Sequence, residues 1–212
     1  MRHSIREFYS DHNTAPIDKD RGPFKTMASG KRWYYLNPKT DDIDWWDVSN
    51  GLAATPRFDG QTRGEVKLSV AQHLFNCALM AQKWVDEKNI NPVLVKHVFL
   101  HDFHEAYTGD ISKPIKSILN REGLVTNLEQ RIDKTIYDAL ELDAPDQQMQ
   151  CLVKSIDDRM LATEWLWLMP GNPLEHGITA RPFKIEIEPW IFIKARAMFV
   201  AMFNQLFVDI PQ

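Results

Sequence analysis

Helical periodicity is the pattern that most restricts how this chain can fold. In SVAQHLFNCALMAQKWVDEK (69–88), Ser69 and Gln72 have the spacing of a capping box, and apolar residues then recur at helical intervals. No segment shows the convincing apolar and polar alternation of a half-buried strand. The pattern therefore predicts an all-α, bundle-like fold in which sites are built from side chains on facing helices.

Other helices are predicted from apolar spacing and from residues that start or stop a helix. For the first, Asp41 or Asp42 is the expected cap and Pro56 the expected end. A later helix is expected to begin at Asn91 and to break at Gly109. The predicted helices lie near 43–53, 69–88, 91–108, 123–142, 146–168 and 187–207, with a short helix interrupted at Pro114.

Composition supports a globular protein with one core. The chain has 212 residues, of which 44% are hydrophobic and 25% charged, so we expect a single domain over 1–212. Residues 1–32 are polar with scattered Pro and Gly, and are expected to form loops or an arm on that domain. The net charge of -4 gives no general attraction to polyphosphate backbones, so no nucleic-acid polymer is expected as a partner.

The sequence also predicts a cytoplasmic protein without a membrane contact. The N-terminal stretch lacks the apolar core of a signal peptide, and the most apolar run, 190–208, contains Lys194 and Arg196. Cys77 and Cys151 lie in apolar helical patterns without metal-type spacing, so both are expected to be buried, reduced thiols. The sequence leaves the oligomeric state open, and a homo-oligomer is one possibility.

The decapeptide HDFHEAYTGD (101–110) places His101 and Asp102 inside an apolar helical pattern. Burying a carboxylate beside an imidazole is costly unless both are paired or coordinate a cation. His73 lies on the apolar face of the preceding helix, which a short loop makes an antiparallel neighbour. In the helix of 146–168, Asp157 shares the apolar face, whereas Asp158 points about 100° away. His73, His101, Asp102 and Asp157 are therefore the candidate metal ligands.

Two imidazoles and two carboxylates suit one divalent ion and leave positions open for water and a phosphate oxygen; Mn, Fe, Co, Ni, Zn and Mg are the candidates. Each residue alone also has a simpler interpretation, since a core histidine can be satisfied by a hydrogen bond, and Asp157 could pair with Lys154 or Arg159. His97 and His101 form a competing pair four residues apart, but no Glu follows His97 as the protease motif requires.

Four segments, PRFDGQT, SVAQH, HDFHEAYTGDISKPIK and VKSID, together resemble the HD-domain metal phosphohydrolases, which are all-helical. The similarity covers about 55–160 and is greatest to the branch of bacterial 5′-deoxyribonucleotidases and short viral dATP triphosphohydrolases. The resemblance implies that His73, His101, Asp102 and Asp157 hold the metal, and that Glu105 is the catalytic carboxylate. Glu105 follows His101 by four residues, which on a continuous helix places both on one face.

The resemblance also implies a set of substrate contacts. Arg57 matches the arginine that binds phosphate, and Phe58 stands where nucleotidases often have Trp. Asp110 corresponds to a residue near the sugar hydroxyl, although an N-cap of the next segment is an equal alternative. Lys116 matches the family PxK, and Lys113 is the other phosphate candidate.

The expected activity is hydrolysis of a phosphate ester or anhydride of a deoxynucleoside mono- or triphosphate by a metal-activated water. Dinuclear members of the superfamily that this chain resembles have further histidines between the HD pair and the final Asp. Only His104 lies between Asp102 and Asp157 here, so the resemblance favours one protein-held metal, and His104 itself has no assigned role. The alternatives are a nucleotide-binding regulatory module with a structural metal and no turnover, and a helical interaction protein in which the His and Asp residues are core features.

Overall fold

Alpha-helices dominate this protein, whose structure, a computed structural model, describes residues 17–120 and 122–207. The prediction of an all-α fold is confirmed. The α-helices, in chain order, are α1 (Trp45–Ala54), α2 (Val70–Lys88), α3 (Val93–Leu100), α4 (Glu105–Thr108), α5 (Lys113–Leu119), α6 (Leu124–Ala139), α7 (Gln147–Leu168) and α8 (Phe192–Leu206).

Side chains of the expected type cap the main helices. Ser69 accepts a hydrogen bond from the Gln72 amide at the start of α2, as the capping-box spacing predicted. At α1 the cap is Asp44, which accepts from two amides of the first turn, so the prediction of Asp41 or Asp42 was wrong. Asp42 instead pairs with Arg21.

Helix α2 lies at the centre of the core and packs against α1, α3, α7 and α8. The buried apolar side chains of these helices form one cluster. Phe99 and Phe103 meet Phe199 of α8 with ring centroids 4.8 and 5.2 Å apart, and all three side chains are at most 1% exposed. This arrangement seats the C-terminal helix against the segment that carries the HD dipeptide.

A short antiparallel hairpin, β1 (Phe24–Thr26) and β2 (Arg32–Tyr34), corrects the prediction that the chain has no strands. Each strand has three residues, which is too short for alternation to be recognised. Trp33 is fully buried and stacks on Tyr107 of α4 with ring centroids 3.8 Å apart. Within the predicted arm of 1–32, β1 is ordered and the Lys25 ammonium lies 3.4 Å from the Tyr107 carbonyl oxygen, while residues 1–16 lie outside the described part.

The apolar pattern predicted one helix over 91–108, but the structure has two helices in this segment, separated by a turn. Helix α3 ends at Leu100, and the backbone tightens so that the amides of Phe103 and Glu105 bond to carbonyls three residues earlier. Gly109 ends α4 with a φ of 78°, a conformation that glycine adopts readily. Pro114 sits in the first turn of α5, where its missing amide costs no hydrogen bond, so it does not interrupt that helix.

The two cysteines differ in burial. Cys77 is buried, but Cys151 is exposed because the first turns of α7 lie at the surface, so its predicted burial was wrong. In the described ranges, no helix combines the length and apolar character needed to cross a membrane.

The aromatic contact between α8 and the α3 region yields a stability prediction. We expect Phe199→Ala to lower the free energy of unfolding by about 3–5 kcal/mol, since a fully buried ring is lost and a cavity remains. Ile193→Ala on the same helix truncates a side chain that is 74% exposed, and is expected to change the free energy of unfolding by less than about 0.5 kcal/mol. Urea unfolding of both variants measures the difference, and equal effects would contradict this packing.

Candidate metal centre

Donor atoms of His73, His101 and Asp157 lie within 4.8 Å of one another between α2, α7 and the turn after α3, and Asp102 lies beside both histidines. His73 Nε2 lies 3.3 Å from His101 Nε2 and 3.4 Å from Asp157 Oδ1. Asp102 Oδ2 lies 3.3 Å from His101 Nε2 and 3.8 Å from His73 Nε2. Donors bonded tetrahedrally to one ion at 2.0–2.2 Å are about 3.3–3.6 Å apart. The separations of 3.3 and 3.4 Å match this range and that of 3.8 Å is slightly longer, so the group suits a single transition-metal ion.

The remaining ring nitrogens fix the tautomers of both histidines. His101 Nδ1 lies 2.7 Å from the Val98 carbonyl oxygen, which can only accept, so this nitrogen carries the hydrogen. His73 Nδ1 lies 2.7 Å from Oε1 of Glu164, another acceptor. In the neutral rings, both Nε2 lone pairs therefore point to the same place. A backbone carbonyl and a carboxylate are the usual outer partners of metal-binding histidines.

The site is rich in negative charge. Burial opposes the charged form of His101, yet Asp102 and Asp157 raise the pKa of this imidazole well above its ordinary value. Burial would likewise raise the pKa of Asp157, but hydrogen bonds from His101 and His73 hold it well below the usual range. The carboxylates thus favour a positive charge between them, which a divalent cation would supply.

Neighbouring aspartates of α7 have different surroundings. Asp157 faces the two histidines, with its Oδ1 also 3.7 Å from His101 Nε2. Asp158 instead pairs with Lys154, whose Nζ lies 3.6 Å from Oδ2 of Asp157. The helix therefore directs one aspartate to the site and the next to its rim.

Glu105 lies beside Asp102 and is 8% exposed. In the tight turn after α3, residues three apart lie on the same side, so Glu105 lies on the side of Asp102. The prediction that Glu105 shares a helix face with His101 assumed an α-helix here and does not apply. Its Oε2 is buried and has no hydrogen-bond partner among the described residues. Burial, with Asp102 and Asp110 nearby, raises the pKa of this carboxyl well above its ordinary value. A buried carboxylate oxygen without a protein partner fits a water or ligand at this position.

Arg57 brings a cation to the site from the loop before α2. Its backbone amide bonds to the Leu68 carbonyl, and its Nη1 lies 3.6 Å from Oδ2 of Asp102. The next residue, Phe58, has a φ of 56°, which is unusual for a bulky side chain. Its half-buried ring meets the ring of Trp165 edge-on at 6.0 Å. This strained turn therefore places a guanidinium and an aromatic ring side by side.

The other predicted substrate residues differ in position. Asp110 is half-buried, and burial raises its pKa while the Arg57 charge lowers it; the cap of α5 is Ser112, not Asp110. Lys116 Nζ lies 2.6 Å from Oε2 of Glu129, and Lys113 is exposed. Over 17–120 and 122–207, no ion pair joins either lysine to the four donor residues.

The remaining histidines of this region have partners elsewhere. His97 Nδ1 lies 3.2 Å from the Tyr137 hydroxyl oxygen, so the competing pair of His97 and His101 does not form a shared site. His104 Nδ1 lies 3.0 Å from Oδ1 of Asp133 on α6. His104 thus links the turn after α3 to α6.

The sequence interpretation missed Glu164, which is 0% exposed and contacts both His73 and Arg57. The sequence contains a signal that could have identified Glu164. Glu164 follows Asp157 by seven residues, or about two helical turns, so both lie on the same face of α7. A glutamate on the face that already supplies a ligand is a candidate for a buried ion pair.

The segments that carry the four candidate ligands lie in a part of the chain that is similar to known proteins. The profile of a family described as HD domain matches residues 52–159. The uncharacterised protein YfdR of Escherichia coli is 33% identical over 188 residues, which cover 86% of this chain and 95% of that protein. An uncharacterised protein of Rhodobacter capsulatus is 31% identical over 116 residues, which cover 54% of this chain and 56% of that protein.

Adjacent aspartates provide a matched test of the candidate centre. We expect the wild-type chain to retain about one divalent ion after purification and desalting. Asp157→Asn removes a charged donor and is expected to lose that ion, whereas Asp158→Asn, one residue further, is expected to keep it. Elemental analysis by mass spectrometry measures metal per chain, and equal retention in both variants would contradict the assignment.

Proposed function

The chain belongs to the HD-domain family, and we propose that it is a metal-dependent phosphohydrolase of deoxyribonucleotides. HD domains are typically hydrolases that bind a divalent metal. The observation that carries the proposal is the pair of histidine Nε2 atoms, 3.3 Å apart and in fixed tautomers, facing Asp102 and Asp157. An ion that takes six ligands would keep two positions for water and substrate beside these four donors.

Each residue of the site has a distinct task in ester hydrolysis. His73, His101, Asp102 and Asp157 would hold the ion, which when bound supplies a water of lowered pKa and a Lewis acid for the phosphoryl group. Arg57 donates hydrogen bonds to the non-bridging phosphoryl oxygens and offsets their charge.

Glu105 is the proposed proton-transfer residue. Water adds to phosphorus, the bond between phosphorus and the sugar oxygen breaks, and the leaving oxygen takes a proton. The carboxyl group of Glu105 lies beside that of Asp102, and its unpartnered Oε2 is free to accept a proton or to donate one. The products are a deoxynucleoside and inorganic phosphate.

The distribution of cations supports a monophosphate substrate over a triphosphate. A triphosphate needs several converging cations, whereas Arg57 is the guanidinium beside Asp102, and Lys116 is already paired with Glu129. Lys154 lies at the rim beside Asp157 and Asp158. We propose that the sugar lies near Asp110, whose carboxyl group interacts with the Arg57 charge, and that the base lies near Phe58, which adjoins Arg57 and meets the ring of Trp165.

A substrate panel tests the reaction. Protein loaded with Mn, Co or Mg is incubated with ribo- and deoxyribonucleoside mono- and triphosphates, and products are separated by chromatography. We expect deoxynucleoside and phosphate from deoxynucleoside monophosphates, and loss of both metal and activity in Asp102→Ala. Absence of turnover with every substrate would exclude the proposed activity, and nucleotide binding without turnover would support a regulatory module instead.

Replacing the proton-transfer residue separates chemistry from binding. We expect Glu105→Gln to lower kcat by about 10²- to 10⁴-fold, because general acid–base catalysis is lost. Its metal content and its affinity for a deoxynucleoside monophosphate, measured by calorimetry, are expected to stay at wild-type levels. A variant with wild-type kcat would show that Glu105 does not transfer the proton.

A further inference from the structure

Glu164 connects two parts of the site through its two carboxylate oxygens. Oε1 accepts a hydrogen bond from His73 Nδ1 at 2.7 Å, and Oε2 accepts one from Arg57 Nε at 3.0 Å. The side chain is 0% exposed, so water does not compete for either bond. His73 and Arg57 precede Glu164 by 91 and 107 residues in the sequence, and α7 brings Glu164 between them.

We propose that Glu164 is a positioning residue that couples metal retention to phosphate recognition. Through His73 it selects the tautomer that presents Nε2 to the metal, and through Arg57 it orients the guanidinium toward the same point. The second half of this inference rests on the proposed function, since it takes Arg57 to be a phosphate contact. The first half concerns metal binding alone.

Only a carboxylate satisfies both partners at once. The guanidinium stays protonated, so Arg57 Nε always donates. The His73 ring must also donate from Nδ1 if its Nε2 is to offer a lone pair. An ionised carboxylate accepts through both oxygens, whereas an amide of the same shape accepts through one atom and donates through the other.

The bond from Arg57 Nε to Glu164 also determines which nitrogens remain for a ligand. With Nε engaged, the terminal nitrogens remain for a ligand, and Nη1 lies 3.6 Å from Oδ2 of Asp102. A phosphate beside these nitrogens therefore lies next to the donor group of the candidate metal. Because the guanidinium also neutralises the buried carboxylate, neither group carries an uncompensated charge.

Helix α7 therefore carries two linked contributions on one face. Asp157 supplies a donor atom directly, and Glu164, two turns later, holds a second donor and the phosphate contact. A displacement of this helix would alter metal binding and phosphate binding together.

Glu164→Gln tests the coupling without changing side-chain shape. Since Arg57 cannot give up its Nε hydrogen, the amide oxygen is expected to face Arg57 and the amide nitrogen to face His73. His73 must then accept at Nδ1, which moves its hydrogen to Nε2. We expect ¹⁵N NMR of the metal-free protein at alkaline pH to show this tautomer change, and calorimetry to show about 10- to 100-fold weaker Mn or Zn binding.

A double variant gives a signature that a merely structural role does not predict. With Arg57→Met added to Glu164→Gln, the amide oxygen is free to turn to His73, and no buried cation remains unpaired. We expect the wild-type tautomer and most of the metal affinity to return. We expect KM for a deoxynucleoside monophosphate to exceed the wild-type value, because the phosphate contact of Arg57 is missing. This variant also supplies the readout if the single variant fails to fold.

Asp47→Asn is the matched control, since Asp47 is 3% exposed and bonds to Ser29 away from the site. It is expected to leave the His73 tautomer and metal affinity unchanged. Wild-type tautomer and metal affinity in Glu164→Gln would overturn the inference, as would a double variant no better than the single one. Because the tautomer and metal-affinity readouts need no turnover, their failure is distinguishable from failure of the proposed activity.

Discussion

The need to balance buried negative charge governs the arrangement of this site. Asp102 comes from the turn after α3, whereas Asp157 and Glu164 come from α7, and all three carboxylates lie near His73. Carboxylates in such surroundings are stable only with cations or hydrogen-bond donors close by. Arg57 and the imidazoles supply part of that balance, and a divalent ion would supply the rest. The residues that compensate this buried charge are thus the same ones that the proposed function requires.

Periodicity in the sequence was sufficient to recognise the helices, because a stripe of apolar residues at 3.6-residue intervals is visible without any knowledge of neighbours. It was insufficient at the turn after α3. An α-helix and a tighter turn need nearly the same apolar pattern over four residues, yet they direct Glu105 to different neighbours. The hairpin was missed for a related reason, since strands of three residues show no alternation. Such features depend on tertiary contacts.

For the site, the sequence identified residues by type but not their partners. Asp157 was separated from Asp158 by helical phase, and the structure places these two side chains in different surroundings. Lys116 matched a family motif, but its distance to Glu129 depends on how α5 meets α6, which no local pattern specifies. Glu164 shows the same limit, because its two partners come from segments before α2 and within it. Partnership between distant segments is a property of the folded chain.

The hairpin before α1 has a consequence for how the protein can be modified. Tyr35 donates its hydroxyl hydrogen to the Tyr107 carbonyl at 2.7 Å, and the Trp33 ring covers Tyr107, two residues beyond Glu105. On the other side, α1 approaches so closely that a side chain at Gly51 would lie 3.1 Å from the Ala106 carbonyl. The short helix α4, which carries Glu105, is thus packed between the hairpin region on one side and α1 on the other. Deleting the hairpin would remove the contacts on one side of this short helix, together with the buried Trp33 ring, and would leave those of α1 on the other.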